Sequence, residues 1–305
     1  MLCVAVYFAS GASFFSGAAC LLGGLLTLSY GRRKFARPTG RFLLLLGIFQ
    51  IIMSATPLPA WAYAIWGLSF LLWIVANIRR NAERLGWPTT ALAACVGCTI
   101  GVAAWELRYQ LSPPALNGHW TRVVVIGDSL SAADFTEGGD PWPTLLARDH
   151  DIVVDNLAFS GAQAGSAEKK ISAEQVADAL VLLEIGGNDL LGATAAADFD
   201  RHLDRLLKKV CRPDNAVVML ELPLPPLYNR YGEIQRRLAK AYHVHLIPKR
   251  YFAGVIAGDQ ATLDGLHLSS KGHEKMSKMI WSHLRRVDFS PREARRVDFN
   301  PPYGK

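Results

Sequence analysis

Two shortages shape the chain. Charged residues are almost missing from the first 105 positions outside two short connections, and cysteine is almost missing after position 98. Of five cysteines only Cys211 lies beyond Cys98, so the C-terminal part can hold no intrachain disulfide framework. No Cys/His set has zinc-ligand spacing and no glycine-rich phosphate loop occurs, so neither a metal nor any cofactor is expected. Cys95-Val96-Gly97-Cys98 has redox spacing but lies inside an apolar run, where small residues serve helix packing. A basic excess is also missing from residues 121–305, which carry 24 Lys/Arg and 24 Asp/Glu, against nine and two in residues 1–120. The sequence pI of 9.2 therefore belongs to the N-terminal part. A nucleic-acid partner, which needs a basic patch on the soluble part, is not expected.

What fills the N-terminal part is apolar. Four stretches, at about 4–28, 42–59, 60–78 and 89–105, approach the ~20 residues that cross a bilayer, the second meeting Pro57 and Pro59 at its end. A transmembrane domain of about four helices is expected over residues 1–107. The first stretch lacks the basic start of a cleavable signal peptide, runs too long, and is followed by further spans. Gly17-Ala18-Ala19-Cys20 resembles a lipoprotein cleavage site only superficially, because the apolar run continues through Leu21-Leu22. Arg32, Arg33, Lys34, Arg37 and Arg41 mark the first connection, Arg79, Arg80 and Arg84 the third, and the second has none. By the positive-inside rule the first and third are cytoplasmic, which sends both termini outside. Trp61, Trp87 and Trp105 fall near span ends, as interfacial tryptophans do. The expectation is an integral protein of a bacterial inner membrane with an extracytoplasmic C-terminal domain.

Residues 108–120, with Pro113-Pro114 and Asn117-Gly118, read as a linker. Strand-like runs come next at 122–126, 151–155, 180–186, 216–222 and 244–248. Helical patterns alternate with them near 141–149, 170–178, 195–210, 229–241 and 270–286. This alternation predicts an α/β domain over 121–286, a doubly wound five-stranded parallel sheet of flavodoxin-like order 2-1-3-4-5. Arg285-Arg286-Val287-Asp288-Phe289-Ser290-Pro291 is echoed by Arg295-Arg296-Val297-Asp298-Phe299-Asn300-Pro301. Two copies make no solenoid, and 287–305 is expected to be a polar, disordered tail.

Several segments at strand ends carry chemistry. Gly127-Asp128-Ser129-Leu130-Ser131 ends the run Val123-Val124-Val125-Ile126; Asn156-Leu157-Ala158-Phe159-Ser160-Gly161 ends a second run, and Gly186-Gly187-Asn188-Asp189 a third. Asp264-Gly265-Leu266-His267 stands near the C-terminus. Taken singly, each has a plainer reading as a helix cap or turn. Asp128 and Asp189 are expected to be such caps, and the other seven histidines, His273 among them, surface residues. An α/β-hydrolase elbow needs glycine on both sides of its serine, but Ser131 occupies the second flank.

Together and in this order the four segments resemble the SGNH (GDSL) hydrolase family over roughly residues 121–285. The bacterial thioesterase/lysophospholipase-like branch is the nearest, because Pro223-Leu224-Pro225-Pro226 and Tyr228-Asn229-Arg230-Tyr231 also look like its segment before the penultimate helix. The resemblance implies Ser129 as nucleophile, His267 as base and Asp264 as the group that orients it. It implies an oxyanion hole from the backbone N–H groups of Ser129 and Gly161 and the Asn188 amide. The expected substrate is an acyl ester or thioester, such as a lysophospholipid or an acylated envelope saccharide, and the expected surroundings are a lipid bilayer. Ala132 to Pro143 is expected to shape the acyl pocket, with Phe135 as a wall and Trp142 as either a wall or core. An acyltransferase using the same serine and a silent membrane-anchored binding module are the alternatives, and the oligomeric state is open.

Overall fold

The computed structural model describes residues 2–31, 34–79, 87–132, 139–258, 260–264 and 267–289. They fall into two units: those of Met1–Leu111 with Pro223–Glu233, and those of Ser112–Leu222 with Ile234–Lys305.

The first unit contains α1 (Leu2–Ala9), α2 (Ala12–Tyr30), α3 (Ala36–Met53), α4 (Ala60–Arg79) and α5 (Trp87–Leu107). The segments Ala12–Tyr30, Ala36–Met53, Ala60–Ile78 and Thr89–Leu107 are each long and apolar enough to cross a membrane. The first apolar stretch is not continuous, since Gly11 at φ +83° separates α1 from α2. The second span is displaced toward the N-terminus of its expected range. It takes in Arg37 and Arg41 and stops at Met53, so Pro57 and Pro59 fall in the next, non-helical segment, where Ser54, Ala55 and Thr56 are wholly buried. Proline lacks the N–H that a continuing helix would use.

Helices α2 and α3 approach closely through two glycine pairs. A Cβ on Gly17 would lie 3.0 Å from the Gly47 carbonyl oxygen, and one on Gly24 would lie 2.9 Å from that of Gly40. Small residues that let backbones meet are the usual device of helix packing in lipid, where apolar burial gives no drive. Between α4 and α5, Trp66 Nε1 donates to Thr99 Oγ1 at 2.9 Å, and Cys95 is buried beside Trp73.

The second unit contains β1 (Arg122–Gly127), α6 (Trp142–His150), β2 (Val153–Asn156), α7 (Ala164–Lys170), β3 (Leu180–Glu184), α8 (Gly187–Leu191), α9 (Ala196–Val210) and β4 (Ala216–Leu220). It continues with α10 (Asn229–Ala241), whose first turns belong to the first unit, then β5 (His245–Ile247), α11 (Lys249–Ile256) and α12 (Ser270–Leu284). The sheet is parallel with order β2-β1-β3-β4-β5, as the alternation of runs predicts. Val123, Val124 and Val125 are fully buried, and every residue of β3 is buried. Strands covered on both faces need such unbroken apolar runs. Because β1 and β3 are neighbours, the segments that leave Gly127 and Glu184 emerge side by side at the carboxyl edge.

Differences from the expected pattern are local. The helix expected near 170–178 is instead α7, started by a capping box in which the side chains of Gln163 and Ser166 each bond the other's backbone. Ile171 is extended and the chain then turns up to Asp178. Helices α8 and α11 have no counterpart among the expected helices. Val287 to Phe289 is no loose tail: Val287 is buried, and Asp288 pairs with the linker through Trp120 N–H to Asp288 O at 3.1 Å. The second copy of the repeat lies outside the described residues.

At the end of β4 the buried Glu221 accepts from Arg236 Nε at 2.6 Å and from the Lys249 backbone N–H at 3.1 Å, with Lys249 Nζ 3.7 Å away. Removing one partner of a buried ionic set strands the others. Glu221→Ala is expected to destabilise the second unit by about 3–5 kcal/mol, read as a lowered Tm of the detergent-solubilised protein. A Tm within 1 °C or so of wild type contradicts this role for Glu221.

Candidate active site

Ser129 sits in the turn after β1, half-buried. The turn closes on Asp128, whose carbonyl accepts from the N–H groups of Ser131 and Ala132 at 3.1 and 2.9 Å, and whose Oδ1 accepts from Leu130 N–H at 3.0 Å. Glu184 ties it to β3. One oxygen, Oε2, takes the Asp128 N–H at 3.2 Å and the Ser131 hydroxyl at 2.9 Å. Ser131 Oγ in turn accepts from Trp142 Nε1 at 3.2 Å, and the Trp142 N–H donates to His273 Nδ1 at 3.2 Å. The turn that bears the candidate nucleophile is thereby tied to β3, α6 and α12. Gly127 leaves the room this needs: a Cβ there would lie 2.6 Å from Ser131 Oγ and 2.9 Å from Glu184 Oε2.

The candidate oxyanion donors stand beyond the two neighbouring strands. Gly161, after β2, is exposed at φ +74°, a conformation open to glycine at no steric cost. Asn188, on α8 after β3, donates from Nδ2 to Asp128 Oδ2 at 3.1 Å and to the Ala162 carbonyl at 3.2 Å. Its amide thus bridges the segments that bear Ser129 and Gly161. Asp189 is wholly buried and accepts the Ala164 N–H at 2.8 Å, which fastens α8 to the start of α7. Asp128 and Asp189 hold segments together, as their expected capping role requires, though across elements as well as within a turn.

His267 and Asp264 are paired. Asp264 accepts the His267 backbone N–H on Oδ1 at 2.8 Å and faces the ring Nδ1 with Oδ2 at 2.7 Å. With Nδ1 carrying the proton to the carboxylate, Nε2 is the basic nitrogen. Residues 265 and 266 between them lie outside the described residues. Burial, the larger influence on Asp128, keeps its carboxyl pKa raised, while among the charges near it the imidazole of His267 favours the ionised form. Phe135 lies outside the described residues, and Trp142, fully buried in the core, is no pocket wall.

The electrostatics centre on two carboxyl groups. Burial pushes Glu184 well above the ordinary carboxylate range, and the charge of Asp128 pushes it further. Burial likewise raises Asp128, against the hydrogen bond from Leu130. Glu184 and His273 support the site from outside the motifs that mark it in the sequence, and Ser131 does so from within the first of them. His273, expected at the surface, is 1 % exposed. Glu184 has one visible signal, a lone charge inside an otherwise apolar strand. Among the described residues no group of three His, Cys, Asp or Glu is placed to hold a metal ion.

Residues 125–275 match the GDSL-like lipase/acylhydrolase family. This part of the chain belongs to that family. The GDSL domain is 28% identical over 177 residues to the esterase TesA of Pseudomonas aeruginosa, a match that covers 53% of this chain and 87% of that protein. It is 30% identical over 135 residues to thioesterase 1/protease 1/lysophospholipase L1 of Escherichia coli, covering 41% of this chain and 65% of that one. A solved structure of the psychrotrophic esterase EstA from Pseudoalteromonas sp. aligns with a TM-score of 0.49 at 23% identity, covering 54% of this chain and 97% of that chain. The GDSL domain is an ester hydrolase of the SGNH type.

Because burial raises Glu184 in the folded state, the stability it contributes is complete below its unfolded pKa of about 4.3 and is lost as pH rises through its raised folded value. Glu184→Gln keeps an acceptor for Asp128 N–H and Ser131 without a charge to bury. The Tm of wild type minus that of Glu184→Gln is expected to fall steadily from about pH 4.3 upward. A difference that stays constant across that window contradicts the raised carboxyl.

Proposed function

We propose that Ser129, His267 and Asp264 form the catalytic triad of this hydrolase, acting on carboxylic esters and thioesters. The observation that carries the reading is the 2.7 Å pairing of His267 Nδ1 with Asp264, which makes Nε2 the basic nitrogen. His267 Nε2 takes the Ser129 proton as Oγ attacks the acyl carbon, then returns it to the departing alcohol or thiol. Water repeats the cycle and frees the acid. Negative charge on the former carbonyl oxygen falls to the backbone N–H groups of Ser129 and Gly161 and to Asn188 Nδ2. Both Asn188 protons are engaged, on Asp128 and Ala162, so the oxyanion shares one of them. A preset amide plane needs no reorganisation at the moment of reaction.

On the same reading residues 1–107 are a membrane anchor, 108–120 a linker and 121–286 the hydrolase. The basic residues between the first and second spans and between the third and fourth stay in the cytoplasm, which puts the hydrolase outside. Its substrates are then lipid esters or acylated saccharides of the envelope rather than acyl-CoA, a cytosolic pool.

A fluorophosphonate probe is expected to label the purified protein at Ser129, and Ser129→Ala to abolish labelling and ester hydrolysis with an unchanged Tm. Asn188→Ala is expected to lower kcat about 100-fold or more at nearly constant KM, because the amide acts chiefly on the developing oxyanion. Retained turnover in Ser129→Ala, or an effect of Asn188→Ala confined to KM, contradicts these roles. Product analysis with added alcohols separates hydrolysis from acyl transfer.

A reporter active only outside the cytoplasm, fused at Lys305, is expected to work, and one active only inside is expected to work near Arg37 and fail at Lys305. The opposite pattern reverses the orientation and returns acyl-CoA as a substrate.

A further inference from the structure

The helical unit contains a cavity of about 450 Å³, within the size range of small-ligand sites. Leu21 of α2, Ile52 of α3 and Trp66 and Phe70 of α4 line it, together with Leu227 and Asn229 of the 223–233 segment. Asn229 marks one end, since its Nδ2 donates at 3.2 Å to the carbonyl of Ser54, just after α3. Along α4 the lining runs from Tyr63 to Phe70, seven residues or about 10 Å at 1.5 Å per residue, a length matched by part of one extended acyl chain.

The polar character of the cavity is as narrow as its shape. Among the described residues none that lines it is ionisable at neutral pH, so the lining offers no charge to a phosphate or a carboxylate. Asn229 Oδ1 is buried and meets no donor among the described residues. An acceptor in that condition is costly unless a ligand supplies a proton to it. Leu227 stands at the mouth, 77 % exposed and held at φ +72°, a strained position for a branched side chain. Ile52 is 54 % exposed, and its neighbours Phe49 and Leu45 present the same apolar outer surface of α3. On the membrane reading that surface faces lipid, so the cavity opens to the medium in which an acyl chain is dissolved.

We propose that this cavity binds the chain of a neutral, single-chain lipid ester bearing a free hydroxyl, of the monoacylglycerol type, which donates that hydroxyl to Asn229 Oδ1. The proposal rests on the membrane reading above.

The test uses the full-length protein in phosphatidylcholine nanodiscs with a monoacylglycerol that carries a diazirine on its chain. Labelling is expected to concentrate on α3 and α4 peptides. Gly67 lines the cavity, and a Cβ there meets nothing within 4 Å, so Gly67→Trp fills the space. Gly67→Trp and Asn229→Leu are each expected to cut labelling at least ten-fold, while Leu71→Trp, at an exposed position outside the lining, leaves it unchanged. Labelling spread evenly over the helices, or equal labelling by a diazirine phosphatidylcholine, overturns the site. The intact labelling pattern in a protein that takes no fluorophosphonate leaves the site standing and overturns the triad reading.

Discussion

The arrangement around Ser129 depends on one buried carboxyl group. Glu184 Oε2 receives a backbone N–H from Asp128 and the hydroxyl of Ser131 on either side of the candidate nucleophile. That single oxygen fixes the β1 turn to β3 and, through Ser131 and Trp142, to the helices that flank them. A charge there would be expensive in a medium of low dielectric constant beside a second carboxylate. Burial and Asp128 together favour the protonated form, in which the group still accepts both bonds. The turn is thus held by neutral hydrogen bonds in place of an ion pair, and its geometry is insulated from the salt concentration outside.

How much of this can be read from the sequence depends on the range of each interaction. The five strands are legible because strands covered on both faces must be unbroken apolar runs, and Val123 to Ile126 or Leu180 to Leu183 can hardly be anything else. Asp264 and His267 are legible because their partnership is local, three residues apart on one loop. Ser129, Gly161 and Asn188 are legible as a set because each ends a strand, and the strand order brings those ends together. His273 is not legible. Its burial arises from Trp142, 131 residues away, and nothing near it in sequence announces that contact. Helix α7 is hidden for a related reason: Ala164 to Lys170 has too few large apolar residues to show a face, and its start is set by a side-chain exchange between Gln163 and Ser166.

The helical unit shows the same division. Four helices of membrane-crossing length are evident from composition alone, and the four glycines that bring α2 and α3 together are spaced seven apart within each helix, a pattern that gains meaning only once the helices are seen to pair. The break at Gly11 is hidden because glycine inside an apolar run reads equally well as a packing residue. No pattern in the sequence signals that the stretch after β4 is built into this unit, because its proline-rich composition describes a loop and says nothing of what the loop packs against.

That stretch has a consequence for how the protein can be taken apart. The polypeptide passes between the two units three times, after Leu111, Leu222 and Glu233. An ordinary tethered enzyme is freed by a single cut in its stalk. Here a cut between residues 108 and 120 leaves residues 223–233 within the helical unit, so the rest of the hydrolase remains joined to it. A single cut does not part the two units. Recombination that exchanges one helical unit for another would have to replace eleven residues in the middle of the hydrolase as well.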